Sequence, residues 1–329
     1  NAFETSLFGK IEYARYKPDT VLIEKFQDPQ LTLKGETRAT VSYGKTKTLW
    51  FNTGTLCNIE CVNCYIESSP TNDRLGYLTV ADVVPFLDEL EAAEERSIEI
   101  GFTGGETNMA PEMLDILHVV LERGHSVLML TNAMQPMMRP RIKGGLVQLL
   151  EAFGERLTMR VSLDHFSAEL HDQERGEGSF ALAMKGLRWL SENKFKLALA
   201  GRTIWGEDEQ VARVGYADLI AREGLAIDQN NASELVLFPE MKPDGDPPEI
   251  TTACWGILDK DPNDLMCASQ RMVVKRKGAG KASVVACTLL PYDERFDLGA
   301  TLQEARQDVS LNHTYCASFC VLGGGSCSA

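Results

Sequence analysis

The sequence has no run approaching the roughly 18 consecutive apolar residues that a membrane helix needs. Its first residues, Asn1 to Pro18, carry charges throughout and lack an apolar signal core, so a cytoplasmic protein is expected, away from membranes and not secreted. Positive charge is scarce. The chain carries 33 Lys and Arg against 47 Asp and Glu, a net charge of −14. Such a surface repels phosphate backbones at long range, which counts against nucleic acid as a partner. No internal repeat is visible, and a disulfide framework is missing too. Nine cysteines is an odd number, and without a signal peptide it points to metal ligands or catalysis. Hydrophobic residues at 44% and charged residues at 24% of 329 exclude a disordered chain. That length suits two domains, or one large α/β unit with an appendage.

What is present is an alternation of strand and helix signals. Thr48 to Phe51 reads as a short strand, and Thr79 can cap a helix to about Glu95 with Val83, Val84, Phe86, Leu87 and Leu90 on one face. Ser97 to Phe102 reads as a strand ending at Gly104-Gly105, and Pro111 opens a helix that Gly124 stops. Strands over 126–130, 157–163, 196–204 and 234–238 follow, with a helix capped by Ser179 and another over 207–223. Strands alternating with helices imply parallel βαβ units. About six fit between residues 48 and 240, fewer than the eight of a complete barrel. The fold class expected is therefore α/β, a partial (β/α)6 TIM-type barrel.

Beyond it the composition changes. Pro239 to Pro248 reads as a linker. Arg271 to Val274 and Ala282 to Ala286 flank a glycine-rich tip, Lys277-Gly278-Ala279-Gly280-Lys281, and predict a β-hairpin. Leu302 to Gln307 predicts a short helix. The division expected is an extension over 1–47, a core over 48–240 and a small cysteine-rich domain over 241–329.

The cysteines fall into two groups: Cys57, Cys61 and Cys64, then Cys254, Cys267, Cys287, Cys316, Cys320 and Cys327. The first is a C-x3-C-x2-C loop, and thiolates are soft ligands that suit iron–sulfur clusters or zinc. A cubane takes one ligand per iron. Three cysteines therefore leave one iron open to an exchangeable ligand, and an open site marks chemistry rather than structure. The alternative is a zinc knuckle completed from elsewhere, for instance by His165. In the second group the hairpin would bring Cys267 and Cys287 together at its base, with a structural zinc site as the alternative to a cluster. Lys275-Arg276-Lys277 and Lys281 crowd the hairpin tip, either as a solvated turn or as a docking patch for an acidic electron-transfer protein or an anionic substrate.

The triad after the first strand, with Gly104-Gly105-Glu106 after the second, resembles the radical S-adenosylmethionine (SAM) superfamily. The resemblance implies that Cys57, Cys61 and Cys64 hold a [4Fe–4S] cluster whose open iron is chelated by SAM. Gly104, Gly105 and Glu106 would bind the SAM amino group. Thr131-Asn132 and Ser162-Leu163-Asp164 would meet its ribose and carboxylate, and Arg175 the carboxylate. It also implies a reaction: one electron, from a flavodoxin- or ferredoxin-type donor, cleaves SAM to methionine and a 5′-deoxyadenosyl radical that abstracts a substrate hydrogen. One residue departs from the pattern. The position before the third cysteine is usually aromatic and packs near adenine, whereas here it is Asn63, with Tyr65 nearby as the substitute.

The C-terminal cysteines resemble SPASM and twitch domains, one cysteine short of the full SPASM pattern when Cys254 is counted. This implies at least one auxiliary iron–sulfur cluster on Cys267, Cys287, Cys316 and one or both of Cys320 and Cys327. The substrate implied is a peptide or protein undergoing oxidation, cross-linking or epimerisation. Residues 1–47 look short for the leader-peptide-binding domain of many peptide maturases. A dehydrogenase or rearrangement enzyme acting on a small molecule is the alternative, and a non-catalytic iron–sulfur electron carrier is the alternative from another class.

Overall fold

The computed structural model describes residues 24–241 and 245–327. Residues 1–23 of the N-terminal segment, residues 242–244 of the Pro239–Pro248 linker and residues 328–329 lie outside the described residues. A two-residue strand β1 (Thr40–Val41) precedes six strands that read in parallel: β2 (Thr48–Asn52), β3 (Glu99–Thr103), β4 (Ser126–Thr131), β5 (Leu157–Ser162), β6 (Lys196–Thr203) and β7 (Leu235–Pro239). Helices α1 (Val80–Ala92), α2 (Met113–Glu122), α3 (Pro140–Phe153), α4 (Ala168–Arg175), α5 (Ser179–Glu192) and α6 (Glu209–Glu223) make the crossovers. β8 (Gln270–Val274) joins the β2 edge in parallel and turns back as β9 (Ser283–Val285), while β1 pairs with β10 (Val309–Ser310). The sheet order is β7-β6-β5-β4-β3-β2-β8-β9. It is an α/β fold, an open partial (β/α)6 barrel carrying the expected hairpin.

Local chemistry explains the elements. Thr79 caps α1 in a reciprocal box with Asp82, and Val83, Phe86, Leu87 and Leu90 bury one face while Val84 stays partly exposed. Gly224 stops α6 in the left-handed region at φ 63°. Two local expectations are corrected. Ser179 is the first helical residue of α5 rather than its cap. Asp172 of α4 does the capping, accepting from Gly178 N, Ser179 Oγ and Phe180 N at 2.7–2.9 Å. Residues 302–307 form turns instead of a helix. The carbonyls of Ala305 and Gln307 are taken by the buried guanidinium of Arg271, so they serve a tertiary contact and not a helical ladder.

The C-terminal segment is knit into the core. Its hairpin extends the sheet beside β2. At the other edge Phe319 packs on Phe238 of β7, and Arg160 of β5 donates to the Cys327 carbonyl at 2.6 Å.

Candidate functional site

Strands of a parallel sheet present their C-terminal ends to one side, and such ends are where barrel folds build sites. A cleft of about 1130 Å³, counted to its open mouth, opens there. Around it stand Cys57, Cys61 and Cys64, the Gly104-Gly105 turn, Thr131-Asn132, Ser162, and Asp164 with Arg175. The residues expected from the sequence to surround a ligand come together except Glu106 and Leu163, which do not line the cleft.

The Gly-Gly turn explains its own composition. Gly104 sits at φ 145°, where a Cβ would lie 2.6 Å from the Gly54 carbonyl, and a Cβ on Gly105 would overlap the Leu56 carbonyl. Gly105 N donates to Gly54 O and Glu106 N to Leu56 O. The glycines thus press the turn onto the backbone that leads into Cys57.

Glu106 lies behind that turn, 1% exposed. Its Oε1 accepts from Asn108 N, Asn108 Nδ2 and Thr131 Oγ1, and its Oε2 from Asn132 N, at 2.7–3.1 Å. Burial pushes its carboxyl upward, and these bonds pull the other way. Glu106 therefore joins the ends of β3 and β4, with three protein donors on Oε1 and one on Oε2.

Arg175 is held at Nε and Nη2 by both oxygens of Asp164, at 2.7 and 2.9 Å. Burial works to raise Asp164, yet the charge and bonds of Arg175 together with the charge of Arg202 hold it below the usual carboxylate range. Burial pushes the Cys57 thiol up to about 12. It pushes Cys61 up to about 11, with the Arg175 charge opposing.

Tyr65 lines the cleft. The Asn63 side chain instead donates to Glu174 at 2.8 Å. His165 is elsewhere: it bonds Ser167 and lies against Phe166 and Trp205, outside the cleft lining. Sequence reading passed over Glu174, Arg202 and Phe319. The first shares a helix with Arg175 and the second ends a strand at the cleft, so position alone could have flagged both.

A second cavity, of about 310 Å³, is lined by Cys267, Cys287, Cys316 and Cys320 among apolar side chains such as Leu265, Leu290 and Phe296. Cys316 and Cys320 share a π-helix, Cys316–Leu322, a winding often found at functional sites. Burial pushes Cys267 to about 11 and Cys287 to about 12, and drives Cys316 and Cys320 well upward. Cys327 lines the larger cleft instead, its Sγ 2.9 Å from Thr288 Oγ1. Cys254, on the short helix α7 (Cys254–Leu258), lines neither.

All nine cysteines are free thiols. Among the described residues no three His, Cys, Asp or Glu side chains converge as they would on a single ion. Four thiols line the larger cleft, Cys57, Cys61 and Cys64 of one loop with Cys327, and four line the smaller; a cubane distributes its ligands one per iron, a wider spacing than a single ion needs. At the hairpin Lys275 pairs with Asp82, Arg276 with Asp297 and Lys277 with Asp73. Among the described residues no helix is long and apolar enough to cross a membrane.

Comparison with known proteins follows the same outline. Residues 51–207 match the radical SAM superfamily. The subtilosin biosynthesis protein AlbA of Bacillus subtilis is 33% identical over 138 residues, 42% of this chain and 29% of that protein. The mycofactocin maturase MftC of Mycobacterium ulcerans is 27% identical over 179 residues, 54% of this chain and 39% of that protein. The chain thus spans less than half the length of these curated relatives. The structure of Streptococcus suis SuiB bound to S-adenosylmethionine shares the fold, with a TM-score of 0.56 at 12% identity over 78% of this chain and 63% of that one. With its cysteine loop and Gly-Gly turn inside the matched span, residues 51–207 of this chain form a radical SAM domain.

Proposed function

We propose that this chain is a radical SAM maturase that abstracts hydrogen from a peptide or protein, leading to oxidation, cross-linking or epimerisation. The observation that carries the reading is a cleft with three thiols on one loop facing a glycine turn and a carboxylate-anchored arginine. The relatives named for bacteriocin biosynthesis and for maturation favour a peptide substrate. Residues 48–240 would form the core and 241–329 the auxiliary domain, in a reducing cytoplasm supplied by a flavodoxin- or ferredoxin-type donor.

In this reading Cys57, Cys61 and Cys64 hold a [4Fe–4S] cluster and leave one iron to SAM. When bound, cluster and SAM supply one-electron cleavage and hydrogen-atom abstraction. The protein's residues position and enclose. Arg175, steadied by Asp164 through Nε and Nη2, keeps Nη1 for the SAM carboxylate. Thr131, Asn132 and Ser162 line the place of the ribose, with Glu106 fixing the first two from behind the turn. The backbone of Gly104-Gly105 meets the amino group, and Tyr65 supplies the ring that Asn63 lacks. Ile59, Phe238, Met241, Leu289 and Phe319 give the apolar wall that excludes water. Cys267, Cys287, Cys316 and Cys320 hold one auxiliary cluster.

Iron counting tests the two-site reading. Anaerobically reconstituted protein is expected to hold more than the four irons of one cubane, and changing Cys57, Cys61 and Cys64 together to Ala removes one cluster while sparing the C-terminal iron. Four irons or fewer in the fully reconstituted wild type would refute it.

A further inference from the structure

The Cys61–Cys64 segment has little to hold it by itself. Val62 and Asn63 are exposed, and the Cys64 N to Cys61 O bond is long at 3.4 Å. Glu67 N bonds the Cys64 carbonyl at 2.8 Å, and Val62 and Asn63 are held by one residue of α4 with Arg202 beside it. Glu174 is 4% exposed. Its backbone carbonyl accepts from Val62 N at 2.9 Å, Oε1 accepts from Asn63 N at 2.8 Å, and Oε2 accepts from Asn63 Nδ2 at 2.8 Å. Arg202, at the end of β6, donates to the same Oε1 at 2.7 Å and reaches the Asn63 carbonyl at 3.4 Å. A carboxylate bound to both the backbone and the side chain of one asparagine fixes that residue's position and orientation together. Arg202 balances the charge that Glu174 brings below the surface.

We propose that Glu174 is a positioning residue that clamps the cysteine loop through Asn63, with Arg202 as its counter-ion. The clamp accounts for Asn63 itself. A phenylalanine ring at this position could not donate to Oε2, whereas the Asn63 amide does at 2.8 Å, so the amide serves the loop and Tyr65 takes the place in the cleft. Because Glu174 precedes Arg175, the last turn of α4 sets the cysteine loop and the cleft arginine from one rigid piece. The role toward a cluster rests on the reading given above, whereas the clamp itself concerns the protein alone.

Hydrogen–deuterium exchange on the metal-free full chain tests it. In Glu174→Ala the amides of residues 61–64 are expected to exchange at least about tenfold faster, since bonds to an ionised group are lost, with β5 and β6 unchanged. Glu174→Gln keeps an acceptor and should restore most of the protection. If Glu174→Ala also loosens α4, Asn63→Ala decides, because it removes the side-chain arm alone and should speed the same amides by a smaller factor. After anaerobic reconstitution, the electron paramagnetic resonance spectrum of the reduced first cluster should change in Glu174→Ala and return in Glu174→Gln at equal iron content. Unchanged exchange over 61–64 in these variants overturns the clamp, and so does an unaltered spectrum. A wild type that takes up no iron on Cys57, Cys61 and Cys64 would instead sink the cluster reading, with the exchange result still judging the clamp.

Discussion

A methyl group on Gly105 would overlap the Leu56 carbonyl, and backbone cannot step aside as a side chain can. Gly105→Ala is therefore expected to destabilise the protein by about 1–3 kcal/mol, read as a lower urea midpoint, and to reduce iron uptake at the first site. A midpoint equal to wild type would mean that the turn does not press on the cysteine loop. His171 gives a pH signature. It is fully buried and its Nδ1 accepts from Asp164 N at 3.2 Å, so it is neutral. Burial, then the charge of Arg175, push it from 6.5 to about 4. For a base whose folded pKa is lowered, the unfolded chain binds the extra proton between these values. Stability thus rises with pH across about 4 to 6.5 and is lost as pH falls through that window, by up to about 1.4 kcal/mol per pH unit. His171→Leu should flatten that slope in urea titrations whatever it does to the midpoint. The cysteines, glycines and Arg175 were readable because their types have few other uses at such spacings. The placement of Glu106 was not, because four donors arriving from three positions are a product of folding.

At the scale of elements, strands and most helices follow from period and punctuation, and the strand bounds shift by only a residue or two. α3 went unread because Gly144-Gly145 breaks the helical pattern of Ile142, Leu146 and Leu149. The two glycines differ. Gly144 has open space, whereas a Cβ on Gly145 meets the Leu114 side chain of α2. Gly144→Ala should stabilise by about 0.5–1 kcal/mol, and Gly145→Ala should gain less because Leu114 must move; equal gains in thermal melts would deny that close approach. The π-helix was likewise hidden, since C-x3-C fits many turns. It places Cys316 and Cys320 together in the smaller cavity, so on the proposed reading Cys320→Ala should lose the auxiliary iron and Cys327→Ala keep it. Loss of iron in Cys327→Ala would place the auxiliary site differently.

At the scale of the molecule, the sequence shows a core and a cysteine-rich tail, and folding joins them. β8 lies in the core sheet, and the tail lends Thr288, Leu289, Phe319 and Cys327 to the cleft wall. No local signal carries such long-range pairing, whose partners stand more than 200 residues apart in the case of β2 and β8. Two cysteine cavities in one body then predict a division of labour. The most direct test is to reduce the anaerobically reconstituted protein with dithionite in the presence of SAM and measure 5′-deoxyadenosine. The wild type should form it slowly without substrate, Cys61→Ala should form none, and Cys287→Ala should retain it while losing the auxiliary iron. A fully loaded wild type that binds SAM yet yields no 5′-deoxyadenosine would contradict the assignment and leave an iron–sulfur electron carrier in its place.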